Sequence, residues 1–330
     1  MNRPFRSRAV FAALAILCAA ALIVSIGIGT VKFTLPEILT ALVRDDDSAA
    51  RLLIWNLRLP RVLTGGLVGM CLALSGCILQ SVMRSHLASP STIGVTAGAG
   101  FLGHLTLCAF PAFAPMLPAG CILGALITTL LIWALACRGG TTPVRLILAG
   151  MAVSALLGAG TDLLRTLFAD RLENAAGFLV GSLNGVGWRD FLALLPFAAV
   201  GILAASLLPR PMNLLALGDD VAASLGLRTG AFRLILIVIA SLLAGAAISA
   251  AGMISFVGLI VPHIARLLVG SDCRRLLPAS ALLGFSLVTA CDTVGRVILP
   301  PGEVPVSILL SLIGAPFFLW LLRSRESGVQ

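Results

Sequence analysis

From Leu87 to Cys137 the chain runs for 51 residues without an aspartate, glutamate, lysine or arginine. A soluble domain has little use for such a stretch, because a chain in water places ionisable groups over its surface. The run calls for lipid as its solvent, and in lipid only helices and closed barrels satisfy the backbone. Pro111, Pro115 and Pro118 interrupt it. Prolines clustered this way suit a short connection between two helices. A helix crossing the hydrocarbon needs about 20 apolar residues, so the run holds two spans.

The rest of the 330 residues repeats the pattern: 59% are apolar and 11% charged, against about 25% charged in an average soluble domain. Ala9 to Val31 is uncharged after the basic start Arg3, Arg6 and Arg8. It reads as a retained first helix rather than a cleaved signal peptide, since no clear small-residue cleavage site follows. The second span is Val62 to Met83. The fifth is Pro143 to Phe168, where Asp162 and Arg165 are spaced to pair on one helix face, and the sixth is Phe191 to Leu208. Leu234 to Ala265 is long for one span and short for two, and it divides at Gly252. Leu276 to Ile298 and Val304 to Leu322 bring the expected number to ten.

Arginine placement supports ten. With the N-terminus in the cytoplasm, inside segments hold 14 of the 23 basic residues and 4 of the 14 acidic ones, as cytoplasmic loops should. Merging spans seven and eight would carry Arg274, Arg275, Arg323 and Arg325 outside. The net charge of +9 is thereby explained without nucleic acid, for the basic residues form no dense face or recognition motif.

Catalytic patterns are missing. The sole lysine, Lys32, lies just past the first span, so the chain supplies no Walker A lysine; H-E-x-x-H and G-x-S-x-G are absent as well. The eight cysteines form no C-x-x-C pair, and they read as small hydrophobes rather than a metal site or disulfides. His86, His104 and His263 are far apart in sequence, and each reads as a satisfied or solvated side chain. The charges lie near helix ends, whereas an ion-coupled carrier would place ionisable groups near the midplane.

Two places invite function. Met212 to Gly226, M-N-L-L-A-L-G-D-D-V-A-A-S-L-G, lies on the expected cytoplasmic side. Asn213 is placed to cap a short helix ended by Gly218, and Asp219 a second over Val221 to Leu225, ended by Gly226. Two such helices form either a docking surface or an ordinary amphipathic linker. On the other side, Arg58 and Arg61 flank Pro60, and Arg296 closes span nine. Their guanidinium forks suit carboxylate partners, with snorkelling to lipid headgroups as the alternative. Gly65, Gly66 and Gly69, and later Gly94, Gly98 and Gly100, suit close helix packing. Gly69 with Gly76 and Gly245 with Gly252 share a spacing that faintly suggests an inverted repeat of two five-helix halves.

Three blocks carry a family resemblance. They are R-L-P-R-V-L-T-G-G-L-V-G-M-C-L-A-L-S-G-C-I-L-Q from Arg58 with L-A-S-P-S-T-I-G-V-T-A-G-A-G to Gly100; L-G-D-D-V-A-A-S-L-G from Leu217; and G-M-I-S-F-V-G-L-I-V-P-H-I-A-R from Gly252, with D-T-V-G-R at Asp292 and P-P-G-E-V-P-V-S-I-L-L-S-L-I-G-A-P-F-F from Pro300. In order and over nearly the whole chain, they resemble the FecCD permeases of ABC importers for iron-siderophores, haem and vitamin B12. The resemblance implies an all-α integral membrane protein of type II importer architecture, one transmembrane permease domain over residues 1–330, in the cytoplasmic (inner) membrane with both termini cytoplasmic. It implies a homodimer, two separate ATP-binding subunits carrying ATP and Mg, and an extracytoplasmic substrate-binding protein, with no cofactor or metal on this chain. Asn213, Leu214, Leu217, Gly218, Asp219, Asp220, Val221, Leu225 and Gly226 would belong to the coupling helices. Arg58, Arg61 and Arg296 would receive acidic residues of the binding protein. Ser85, Leu87, Thr142, Pro143 and Val144 would form the cytoplasmic gate, although this chain reads S-H-L-A at Ser85 where the family commonly has N-P-L-A. The cargo expected is an iron chelate, with cobalamin or haem as alternatives and a secondary carrier as a distant one.

Overall fold

The computed structural model describes residues 3–29, 31–43, 48–136, 143–299 and 302–326, and among them every regular element is helical. The first helices are α1 (Arg3–Gly27), α2 (Leu35–Val43), α3 (Ala49–Leu53), α4 (Leu59–Met83), α5 (Val95–His104), α6 (Leu117–Ala136), α7 (Pro143–Leu167) and α8 (Leu172–Val180). They are followed by α9 (Trp188–Leu207), α10 (Pro209–Leu217), α11 (Asp219–Ser224), α12 (Thr229–Ala251), α13 (Val257–Val269), α14 (Cys273–Ile298) and α15 (Val306–Glu326).

α4 is the axis of the fold. Over its most apolar window it is 83% buried, against 17% for α1 and 22% for α7 and α9, which expose leucines and valines around the perimeter as lipid-facing helices do. α14, α12, α13 and α9 all pack on α4. Glycine makes this possible: Gly69 abuts Gly284 of α14, and Gly76 abuts Gly258 of α13, each so closely that a Cβ would collide with the facing backbone. Apolar packing gives no preference over lipid here, so close backbone approach and buried hydrogen bonds hold the helices together. Ser75 donates to the Ala240 carbonyl (2.6 Å), Thr129 and Ser241 share a 2.5 Å contact, and Gln80 donates to the carbonyls of Gly258 and Leu259.

Every one of the ten apolar segments contains a helix, but among the described residues only seven stretches have the length and apolarity to cross a bilayer. The other three, Val95–Ala109, Val257–Val269 and Val306–Trp320, correspond to the expected spans three, eight and ten. Thirteen residues of α13 rise about 20 Å, short of the roughly 30 Å hydrocarbon. The division at Gly252 is present: α12 ends there at φ 70°, and α13 begins after Phe256, itself at φ 67°. The irregular backbone between them is not left unpaired. Met253 N–H donates to the Phe178 carbonyl (3.1 Å), and Ser307 Oγ donates to the Met253 carbonyl (3.3 Å). Non-helical backbone at membrane depth requires such pairing.

The second span differs from expectation. Arg58 and Arg61 suggested a boundary before Val62, but the helix is continuous from Ala49 through a π-turn, Ile54–Arg58, into α4. Pro60 lacks the N–H that residue 56 would otherwise receive, and the widened turn absorbs the defect. The proline cluster does form a connection, a 3₁₀ turn over Pro111–Met116 leading into α6. Asp162 and Arg165 pair at 3.2 Å. Of the four glycines in the suggested repeat, Gly69, Gly76 and Gly245 seat neighbouring helices, whereas Gly252 ends one.

Candidate functional sites at the two ends of the helix axis

The 25 residues of α4 separate its ends by about 37 Å, and each end gathers a group of the expected site residues.

At its N-terminal end the π-turn and α4 bring Arg58 and Arg61 beside Arg296 of α14. Arg58 is folded inward: its guanidinium donates to the carbonyls of Ile26 (2.6 Å), Gly27 (3.2 Å) and Val31, and lies 4.7 Å from the Phe33 ring centre. It thus caps the C-terminus of α1, where carbonyls lack helical partners and the helix dipole favours a cation. Arg61 takes Asp292 through Nε and NH2 (2.8 Å) and Glu303 through NH1 (2.9 Å). Arg296 shares Asp292 (3.2 Å) and donates to Ser25 Oγ (2.7 Å). Asp292 is only 5% exposed, so two buried cations depend on one buried carboxylate. Arg58, Arg61 and Arg296 line a cavity of about 320 Å³ together with Asn56, Asn184 and Glu303. Trp188 Nε1 donates to the Trp55 carbonyl (2.8 Å) near its rim, the aromatic placement common at a membrane interface.

The three arginines do converge, yet they are engaged within the chain rather than presented as open forks. Asp292, Glu303 and Ser25 are the members that sequence reasoning missed. The i, i+4 spacing of Asp292 and Arg296 was a legible signal for a pair within α14.

At the other end lie α10 and α11. Asn213 does not cap α10; that helix begins earlier, with Pro209 at its first position. Asn213 sits mid-helix and reaches across to α14, accepting from Cys273 N–H (2.8 Å) and donating to Asp272 Oδ1 (2.7 Å). Asp272 is the N-cap of α14. The Asn213 amide and the Arg274 N–H hold its carboxyl below the usual range. Asp219 does not cap α11 either. It begins the helix after Gly218 at φ 119°, and its carboxylate takes the buried Arg233 guanidinium (2.6 Å). Helix entry here is set by Pro209 and Gly218, positions where fixed or permissive φ counts for more than a polar cap. Gly226, at φ 82°, follows the end of α11 as expected.

Met212, Leu215 and Ala222 anchor this pair to the core, while Leu217, Val221 and Leu225 are 64%, 46% and 60% exposed. The apolar row therefore faces away from the protein on elements pinned by Asn213 and Arg233. Leu214 is half-buried and Asp220 exposed.

Beside this end is the turn after α4, entered through Arg84 in the left-handed conformation (φ 50°). Ser85 Oγ accepts from Leu87 N–H (3.3 Å). His86 Nδ1 lies 2.6 Å from Arg266 NH1. Arginine can only donate, so Nδ1 is the acceptor in this arrangement. Its ring meets His263 edge-on at 6.2 Å. Histidines distant in sequence are thus neighbours in space, because α13 packs along α4. Pro143 and Val144 begin α7, with Val144 exposed; Thr142 lies outside the described residues.

Comparison with known proteins covers nearly the whole chain. The profile of the FecCD transport family matches residues 17–324. The cobalamin import system permease protein of Halobacterium salinarum is 42% identical over 84% of this chain and 75% of its own length. The iron(3+)-hydroxamate import system permease protein of Bacillus subtilis is 39% identical over 96% and 83%. The hemin transport system permease protein of Yersinia pestis is 39% identical over 83% and 84%. A solved transporter in an inward-facing conformation, assigned to the metal-chelate type of ABC transporter, superposes with a TM-score of 0.86 at 32% identity, covering 96% of this chain and 99% of that one.

Proposed function

We propose that this chain, which belongs to the FecCD transport family, is the membrane-spanning permease subunit of an ATP-driven importer that passes an iron chelate of the siderophore type into the cytoplasm. The observation that carries the reading is the match over residues 17–324 together with relatives that are permease proteins of hydroxamate, hemin and cobalamin import systems. In this reading the chain is not an enzyme and binds no cofactor or metal of its own. Two copies form the pore. Two separate subunits bind ATP and Mg and hydrolyse the nucleotide. The exposed row Leu217, Val221 and Leu225 docks against those subunits. Because Asn213 and Arg233 fasten α10 and α11 to α14 and α12, a push on the row moves two long helices rather than a loose loop.

The opposite end receives the extracytoplasmic binding protein, whose acidic residues approach the cavity of Arg58, Arg61 and Arg296. Ser85, Leu87, Thr142, Pro143 and Val144 form the cytoplasmic gate. ATP binding and hydrolysis alternate the access of the pore between the two sides, each partner shifting the equilibrium only by its differential affinity for the two states. In this reading the chain lies in the inner membrane with both termini cytoplasmic. A single cysteine at position 271, in a cysteine-free background, should then be labelled only from the cytoplasmic side.

A second reading keeps the same machine and changes the cargo to cobalamin or haem, which the names of two relatives favour. Uptake of radiolabelled ferric hydroxamate, ferric citrate, haem and cobalamin by a strain that lacks its own permeases and expresses this chain with its ATPase and binding protein separates the two. Accumulation of a ferric chelate supports the first, cobalamin or haem alone the second, and none of the four contradicts both.

A further inference from the structure

Glu303 holds the one end of the Arg61 guanidinium that an incoming carboxylate could reach. The Nε and NH2 edge of Arg61 is closed by Asp292, which is 5% exposed, shared with Arg296 and not part of the cavity lining. The NH1 end is taken by Glu303 at 2.9 Å, and Glu303 is 29% exposed. The two carboxylates therefore differ in kind: one is buried and shared, the other is partly exposed and lines the cavity.

Three further observations make Glu303 replaceable. Its loop does not depend on its side chain, because Val304 N–H donates to the Gly295 carbonyl (3.0 Å) and Val306 is buried against the core. Releasing the carboxylate thus takes a side-chain rotation and no backbone movement. The charge balance also leaves room. Arg58, Arg61 and Arg296 bring three positive charges against two negative ones on Asp292 and Glu303, and among the described residues Arg58 is held by carbonyls and a ring without a carboxylate. Finally, a partly exposed ion pair contributes little, about 0.2–1 kcal/mol, so a second carboxylate of better geometry competes with it.

We infer that Glu303 is an internal stand-in for a partner's carboxylate on Arg61, and that the binding protein docks by exchanging one of its own acidic side chains for Glu303. This inference rests on the docking reading of the preceding subsection. While no partner is present, Glu303 offsets part of the cavity's positive charge. It also sets a threshold: a partner must supply a carboxylate positioned well enough to displace an existing one, which discriminates against acidic proteins that approach without fit.

The test measures affinity of the chain's own loaded binding protein for the permease–ATPase complex in nanodiscs, by biolayer interferometry. Glu303→Gln removes the negative charge from the NH1 end of Arg61 and should tighten binding about 1.4- to fivefold, the equivalent of the 0.2–1 kcal/mol above. Glu303→Asp separates exchange from simple electrostatics, since it keeps the negative charge but falls a methylene short of Arg61. Exchange predicts tighter binding for this variant too. Glu303→Asp equal to wild type, with only Glu303→Gln tighter, would overturn the exchange and leave a general charge effect. Weaker binding by both variants would overturn it as well, making Glu303 a direct contact. The triple reversal Arg58→Glu, Arg61→Glu, Arg296→Glu distinguishes failure of the underlying reading: if it leaves binding unchanged, the docking site lies elsewhere.

Discussion

Removing Asp292 should unsettle the protein far more than removing Glu303. The two oxygens of Asp292 serve Arg61 at 2.8 Å and Arg296 at 3.2 Å, and the three side chains are 5%, 12% and 6% exposed. Asp292→Ala leaves Arg61 with Glu303 as its carboxylate and Arg296 with only the neutral partners Ser25 and Thr293, two largely buried like charges beside each other. Breaking a buried pair from one side typically costs about 3–5 kcal/mol. Removing Glu303, at 29% exposure, should cost at most about 1 kcal/mol. The assay is built into the chain, since Cys71, Cys77 and Cys121 are fully buried and a thiol-reactive fluorophore reports their exposure as denaturant is raised in detergent. Adding Arg296→Met to Asp292→Ala should recover more than about 1 kcal/mol relative to additivity, because it removes one orphaned cation. A single Asp292→Ala variant within about 0.5 kcal/mol of wild type, or strict additivity in the pair, would refute the reasoning that this carboxylate neutralises two buried arginines.

Gly76→Val should be more damaging than an ordinary core overpacking of about 1–3 kcal/mol, since the new side chain meets the Gly258 backbone; the same thiol-exposure assay checks it, and a near-normal profile would contradict the close α4–α13 approach. Leu217→Asp with Val221→Asp should abolish co-purification of the ATPase while the permease still inserts, because both positions are exposed and contribute nothing to its core. Retained co-purification would place the docking surface elsewhere. Asp272 has a lowered pKa in the folded chain. Its contribution to stability is therefore present above the unfolded value near 3.9 and is lost as pH falls through the lower folded value. Asp272→Asn should flatten the acid limb of the stability profile below about pH 4, and an unchanged acid limb would show that the cap carries no linkage.

Hydropathy was enough to locate each of the seven described stretches long and apolar enough to cross a bilayer, because a membrane enforces composition over each crossing segment, but it gave no sign of the short helices α2 and α8. Lengths were less legible. Val95–Ala109 and Val257–Val269 fall short of a full crossing, and what permits this is pairing of the broken backbone by residues remote in sequence, such as Met253 with Phe178. The start of the second span was misplaced for a related reason. Charge normally marks the water boundary, but Arg58 and Arg61 are buried inside a continuous helix, neutralised by carbonyls and carboxylates that only the fold assembles. Capping rules failed at Asn213 and Asp219 because each side chain finds a stronger tertiary partner, the exposed N-terminus of α14 and the buried Arg233. They held at Gly226, where the backbone conformation itself demands glycine. The neighbouring of His86 and His263 had no local signal at all.

The central claim is that energy for transport comes from ATP hydrolysed on other chains. Its most direct measurement is uptake of a ferric chelate into proteoliposomes containing this permease, with and without its ATPase subunits, with binding protein outside and ATP–Mg inside. Uptake should require the ATPase, ATP and the binding protein together. Accumulation that persists without the ATPase, driven by an ion gradient alone, would contradict the assignment and make the chain a secondary carrier.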